Sequence, residues 1–169
     1  MGSDFYQQSI LPYAGIIIKI CRAYTHSQED FDDYYQEVCL QILRSKDSFN
    51  AGSQWSTWVY KVALNVCLTN LKQRKQGEKH FVSDALPDEV QDDLKAFNSD
   101  DINVLYNAIK HLSEIDRAVI LLYLEEKSYS EIAEIIGANT NGIGVRITRI
   151  KERLNKFINA QEGTHEQIN

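Results

Sequence analysis

Apolar side chains recur every three or four residues in two separate blocks of this chain, with no sustained alternation between them. That pattern confines the fold to helices packed on helices. In the first block Ile10, Tyr13, Ala14, Ile17, Ile18 and Cys21 make one amphipathic stripe. Phe31, Tyr34, Tyr35, Val38, Ile42 and Leu43 make a second, which runs into a polar loop from Ser45 to Gln54 that contains Gly52. A third helix is predicted from Trp55 through Trp58, Val59, Val62, Ala63, Val66 and Leu71 to the basic, polar run Lys72 to Lys79.

The second block carries explicit start and stop signals. Ile102, Leu105, Ile109 and Leu112 mark one helix, and Ser113 with Asp116 three residues on caps the next, Ile115 to Leu124. Ser128 and Glu131 form a capping box for Tyr129 to Ile136, and Gly137 ends that helix. Asn139 to Asn141 cap a last helix with Ile143, Ile147, Ile150 and Leu154 on its inner face. Two short helices joined this way predict a helix-turn-helix.

A net charge of -6 argues against a nucleic-acid partner until the charges are located. Residues 1–80 hold nine Lys/Arg against eight Asp/Glu, and residues 102–158 hold eight against seven. Residues 81–101 hold seven acidic side chains against Lys95 alone, and include Pro87. This predicts an all-α chain of two small helical domains, 1–80 and 102–158, with an acidic linker at 81–101 and a polar tail at 159–169. No apolar run approaches the ~20 residues of a membrane span, and no basic leader opens the chain, so a cytoplasmic protein without membrane insertion is expected. Cys21, Cys39 and Cys67 are odd in number and sit in apolar patterns, which suits buried thiols better than disulfides. His26, His80, His111 and His165 lack metal spacing, and no phosphate loop or nucleophile motif occurs. The expectation is therefore no catalytic residue, no metal, no cofactor and no enzymatic activity.

Three sets of side chains remain as candidate contacts. Arg146, Arg149 and Arg153 lie at i, i+3 and i+7 on one face of the last helix, distinct from its isoleucine stripe, with Lys151 and Lys156 flanking. Such a helix fits the DNA major groove; a solvated helix face is the competing reading. Asp33, Gln36, Glu37, Leu40 and Gln41 share one side of the second helix, away from Val38 and Ile42, as either a partner surface or a solvated acidic face. Trp55 and Trp58, with Lys61, Asn65 and Lys72 on the polar side of the third helix, suit unpaired DNA. At least one of the two rings is expected in the core, Trp58 the better candidate.

The run Leu112-Ser113-Glu114-Ile115-Asp116-Arg117, followed by Tyr129 to Gly137 and by Arg146-Ile147-Thr148-Arg149-Ile150-Lys151, resembles domain four of extracytoplasmic-function sigma factors. Asp33-Tyr34-Tyr35-Gln36-Glu37-Val38 is similar to the core-binding motif of domain two in the same family. Trp55 to Asn65 is similar to its promoter-melting helix. The resemblance implies a subunit that directs core RNA polymerase to promoters and assists melting. Its expected partners are the clamp helices of the largest subunit, the flap, promoter DNA, and an anti-sigma factor or other regulatory protein. It further implies that Asp33, Gln36, Glu37, Leu40 and Gln41 bind polymerase. Phe49, Asn50, Trp55, Trp58, Lys61, Asn65 and Lys72 would serve the -10 element, and Ser130, Thr140, Asn141, Arg146, Arg149 and Arg153 the -35 element. A helix-turn-helix regulator that binds duplex DNA without polymerase is the alternative.

Ser113, Thr69 and the pair Gly144-Val145 depart from the family, which often has Pro, an acidic residue and Lys-Ser at these places. Glycine inside a helix costs ~1 kcal/mol relative to alanine, and here it forfeits a phosphate contact. Weak binding of the -35 element by isolated domain four is the expectation.

Overall fold

The computed structural model describes residues 2–50, 52–75 and 99–168. Residues 81–98 of the expected linker therefore lie outside the described part. The chain divides into two compact units, Met1–Ala96 and Phe97–Asn169, and every regular element among the described residues is helical.

In the first unit a short helix α1 (Gly2–Phe5) leads through a widened turn, Tyr6–Ile10, and a tight 3-10 turn, Leu11–Tyr13, into α2 (Ala14–Ala23). The periodicity predicted one helix from Ile10. Pro12, which lacks an N–H to continue the ladder, sits in the 3-10 turn and marks the break. Helix α3 (Gln28–Ser45) starts under Ser27, whose hydroxyl accepts from the Asp30 N–H at 3.1 Å, and α4 (Trp55–Lys75) follows the polar loop.

Helices α2, α3 and α4 pack pairwise, with Ile17, Ile18, Phe31, Tyr35, Val38, Ile42, Val59 and Ala63 buried between them. All three cysteines are unpaired thiols; Cys21 and Cys67 are buried and Cys39 is half-buried. Burial raises the Cys21 thiol, with Cys67 beside it adding to the effect, and pushes Cys39 up to about 12. Burial likewise pushes Tyr34 up to about 12. In the unfolded chain these groups lose protons first, so stability should be intact below about pH 9 and fall between about pH 9 and 12. Urea midpoints across that range should decline, and a Cys39→Ser variant should decline less steeply.

In the second unit α5 (Asp100–Ile109) begins under Ser99, whose hydroxyl accepts from the Ile102 N–H at 3.3 Å. Asp100 and Asp101, expected in the linker, form its first turn, where carboxylates suit the positive end of the helix. Helix α6 (Glu114–Leu124) starts under Ser113, and Arg117 ties the α5–α6 junction by donating to the Leu112 and Lys110 carbonyls at 3.0 and 2.9 Å. Both halves of the capping box close at the start of α7 (Tyr129–Ile136): the Ser128 hydroxyl accepts from Glu131 N–H at 3.1 Å, and Glu131 Oε2 accepts from Ser128 N–H at 3.0 Å. Gly137 ends α7 with φ of 73°, a left-handed conformation that a side chain would strain. Ser128→Ala should cost ~1 kcal/mol, read as a lower thermal midpoint of this unit.

Helix α8 runs Ile143–Ile168, so the expected tail at 159–169 continues the helix to residue 168. Ile143, Ile147, Ile150 and Leu154 are buried against α5, α6 and α7, as the stripe predicts.

Candidate nucleic-acid interface

In the second unit, Asn139 carries the turn before α8: its side-chain oxygen accepts from the Asn141 N–H at 3.1 Å, and Thr140–Gly142 wind one 3-10 turn into the helix. Ser130, Thr140 and Asn141 are all exposed. The three arginines do not all point outward. Arg146 Nε donates to Asp116 Oδ1 at 2.6 Å and Arg153 Nη1 to Asp116 Oδ2 at 3.4 Å, while Arg149 is exposed.

Asp116 is only 7% exposed, and a buried carboxylate must be paired, so it draws two guanidinium groups toward α6. Both side chains stay open to solvent, Arg146 at 42% and Arg153 at 61% exposed. A depression lined by Asp116, Gly142, Val145, Arg146, Arg149, Ile150 and Arg153 results, with three cations around one anion. Lys151, expected as a flanking cation, instead lies over the Tyr123 ring, 4.2 Å from its centroid, and donates to the Tyr123 hydroxyl at 2.6 Å.

Gly144 has a local cause. A Cβ at that position would stand 3.2 Å from Cε2 of Tyr129, so the glycine lets the tyrosine ring of α7 lie against the α8 backbone. Asp116, Tyr123 and Tyr129 carry no local spacing that marks them as contacts, since each acts across helices.

In the first unit, the loop before α4 and the start of that helix form an aromatic cluster. Trp55 and Trp58 have centroids 4.8 Å apart, and Phe49 meets them edge-on at 5.1 and 5.8 Å. Phe5 adds an edge contact to Trp55 at 6.2 Å, and the Trp55 indole N–H donates to the Ser9 carbonyl at 2.8 Å. Neither tryptophan is fully buried, so Trp58 is less enclosed than expected, and Trp55 is the ring fastened to the scaffold. Asn50 closes the loop, its side chain accepting from the Gly52 N–H at 3.2 Å. Lys61 is half-buried and Lys72 exposed on the same helix.

Asn65 falls elsewhere. It lines a groove with Glu37, Gln41, Val66, Thr69, Asn70 and Gln73, between α3 and α4, and so joins the acidic face. On that face Leu40 and Gln41 are exposed, Leu40 at 43%, while Gln36 and Glu37 are half-buried. Asp33 turns one oxygen inward: Oδ1 is buried without a hydrogen-bond partner among the described residues. Near it Arg74 pairs with Asp30 and covers the Tyr34 ring, and the bond to Asp30 raises the guanidinium pKa. Arg74 thus pins the end of α4 to the start of α3, a role its place in a basic run did not disclose.

Comparison with known proteins adds to this geometry. Residues 10–77 match the Sigma-70 region 2 model and residues 102–154 the Sigma-70 region 4 model. The ECF RNA polymerase sigma factor SigG of Mycobacterium tuberculosis is 28% identical over 170 residues; the match covers 85% of this chain and 46% of SigG, so the chain spans about half the length of that relative. The ECF RNA polymerase sigma factor SigW of Bacillus subtilis is 26% identical, with 90% of this chain and 88% of SigW covered. Among solved structures, the sigma factor RpoE in complex with the anti-sigma factor NepR from Bartonella quintana is similar, with a TM-score of 0.71, 21% identity, and coverage of 91% of this chain and 96% of that one. Two helical units that match regions 2 and 4 in that order place this chain in the sigma-70 family, in its extracytoplasmic-function group.

Proposed function

We propose that this protein directs core RNA polymerase to specific promoters and assists DNA melting, without catalytic chemistry of its own. The observation that carries the reading is the pairing of two different surfaces in one chain: an aromatic cluster at the start of a lysine-bearing helix, and a capped helix-turn-helix with an exposed Arg149. Aromatic stacking contributes ~1–3 kcal/mol per base, enough to offset the few kcal/mol that a base loses on leaving the duplex stack. Duplex binding through α8 then fixes where that melting occurs.

The α3 face of Asp33, Gln36, Glu37, Leu40 and Gln41 is the proposed seat of the clamp helices of the largest subunit, and the flap takes the second unit. The half-buried carboxylates of Asp33 and Glu37 supply charge there, and Leu40 supplies apolar area. A cytoplasmic location follows from this role; no described helix is long and apolar enough to cross a membrane. An anti-sigma partner is proposed too, since the solved relative RpoE is held by one.

Gel filtration of the chain with core polymerase tests the proposal against a stand-alone regulator. Co-elution at one chain per polymerase supports it. Tight binding to a palindromic duplex as a dimer, with no shift on polymerase, points to the regulator instead.

A further inference from the structure

Val145 is the most exposed large apolar side chain among the described residues, at 56%, and it stands in the first turn of the helix that bears Arg149. It is not a stray surface residue. Gly144 before it is covered by Tyr129, which holds the α7 ring against the backbone at this turn, and Val145 itself lines the arginine depression. Val145 and Arg149 are one helical turn apart and therefore neighbours on the helix surface.

Arg146 and Arg153 are engaged by Asp116, so on the outer side of the first two turns the exposed Arg149 guanidinium stands beside the Val145 isopropyl group. Each has a distinct complement on a base edge in the major groove. A guanidinium pairs with the O6 and N7 acceptors of guanine, whereas an apolar branch gains only from the C5 methyl of thymine. The charge around Val145 commits the occupant to DNA: an apolar protein partner would have to bury Arg146 and Arg149 beside it.

We infer that Val145 reads a thymine methyl in the upstream promoter element, within one or two base pairs of the base that Arg149 reaches. The inference rests on the proposed function and names a specificity determinant within it. One turn of helix rises 5.4 Å, against about 3.4 Å per base pair, which sets that separation.

Methyl deletion on both sides of the contact tests it. The full chain is assembled with core polymerase, its preferred upstream element is selected from a randomised library, and each thymine is replaced in turn by deoxyuridine. With the wild-type chain, one replacement should weaken promoter binding about three- to fivefold, the worth of one buried methyl group. With Val145→Ala, which removes both γ-methyl groups and leaves only Cβ near the base, that same replacement should have a clearly smaller effect, while binding to the deoxyuridine promoter stays close to the wild-type level. The variant lies on an exposed helical surface and gains helix propensity, so folding is preserved. A selected element without thymine, uniform tolerance of deoxyuridine, or an equal loss in Val145→Ala would overturn the inference while leaving the proposed function standing. Failure to select any element would overturn both.

Discussion

Trp55→Ala should lower the unfolding free energy of the first unit by about 3 kcal/mol, the lower end of the range for truncating a large aromatic in a core, because Trp55 is only half-buried. Three effects combine. The ring loses edge contacts with Phe5 and Phe49, the tilted contact with Trp58 disappears, and the Ser9 carbonyl loses its indole donor. Both tryptophans of the chain lie in this unit, so the fluorescence of Trp58 reports the unit's own urea transition. Trp55→Phe keeps an aromatic ring but not the N–H, and should cost about 1 kcal/mol, the net worth of one hydrogen bond. A difference in function should accompany this. Under conditions where both variants are folded, Trp55→Phe should melt promoter DNA nearly as well as wild type. Trp58→Ala, which removes the less tethered ring, should be deficient in open-complex formation. Equal melting defects in the two variants would mean that the cluster acts as a scaffold alone.

The arginines of α8 should also part company. Arg149→Ala should weaken binding to the preferred promoter by about 1–3 kcal/mol, roughly five- to 150-fold, and flatten the preference at a single base pair. Arg153→Ala should weaken all sequences alike and by less, because part of its guanidinium is already engaged by Asp116. Loss of one phosphate contact reduces the slope of log affinity against log salt by about 0.9, and that change should be seen for Arg153→Ala. Asp116→Ala removes the carboxylate that orients two of the three arginines. Both partners can return to water, so the stability cost should stay at about 1–2 kcal/mol, well short of the figure for a fully buried pair. Binding at matched salt, by competition between preferred and scrambled duplexes on the holoenzyme, separates the three variants.

What the sequence made legible follows the range of the forces involved. Helix positions, the Ser128–Glu131 box and the Gly137 stop depend on residues within a turn of one another, so they can be read by spacing. The buried stripe of α8 was legible for the same reason. Pro12 broke the first helix where the apolar period ran on, because its missing N–H leaves hydrophobic spacing untouched. Charge alone assigns Asp100 and Asp101 to the linker, although Ser99 before them caps the helix they begin. Pairings between distant residues were out of reach: Asp116 with Arg146 across 30 positions, Trp55 with Ser9 across 46, and Tyr129 over Gly144. Arg146, Arg149 and Arg153 share a helix face by spacing. Which of them faces outward was decided by a carboxylate on another helix.

On the proposed function, this chain confers promoter-dependent initiation on a polymerase that lacks it. Run-off transcription on linear double-stranded fragments, with purified core enzyme and with or without the chain, tests that directly. Discrete transcripts that arise only when the chain is added, and fall with Arg149→Ala at the preferred promoter, are the predicted result. A transcript pattern identical with and without the chain would contradict it.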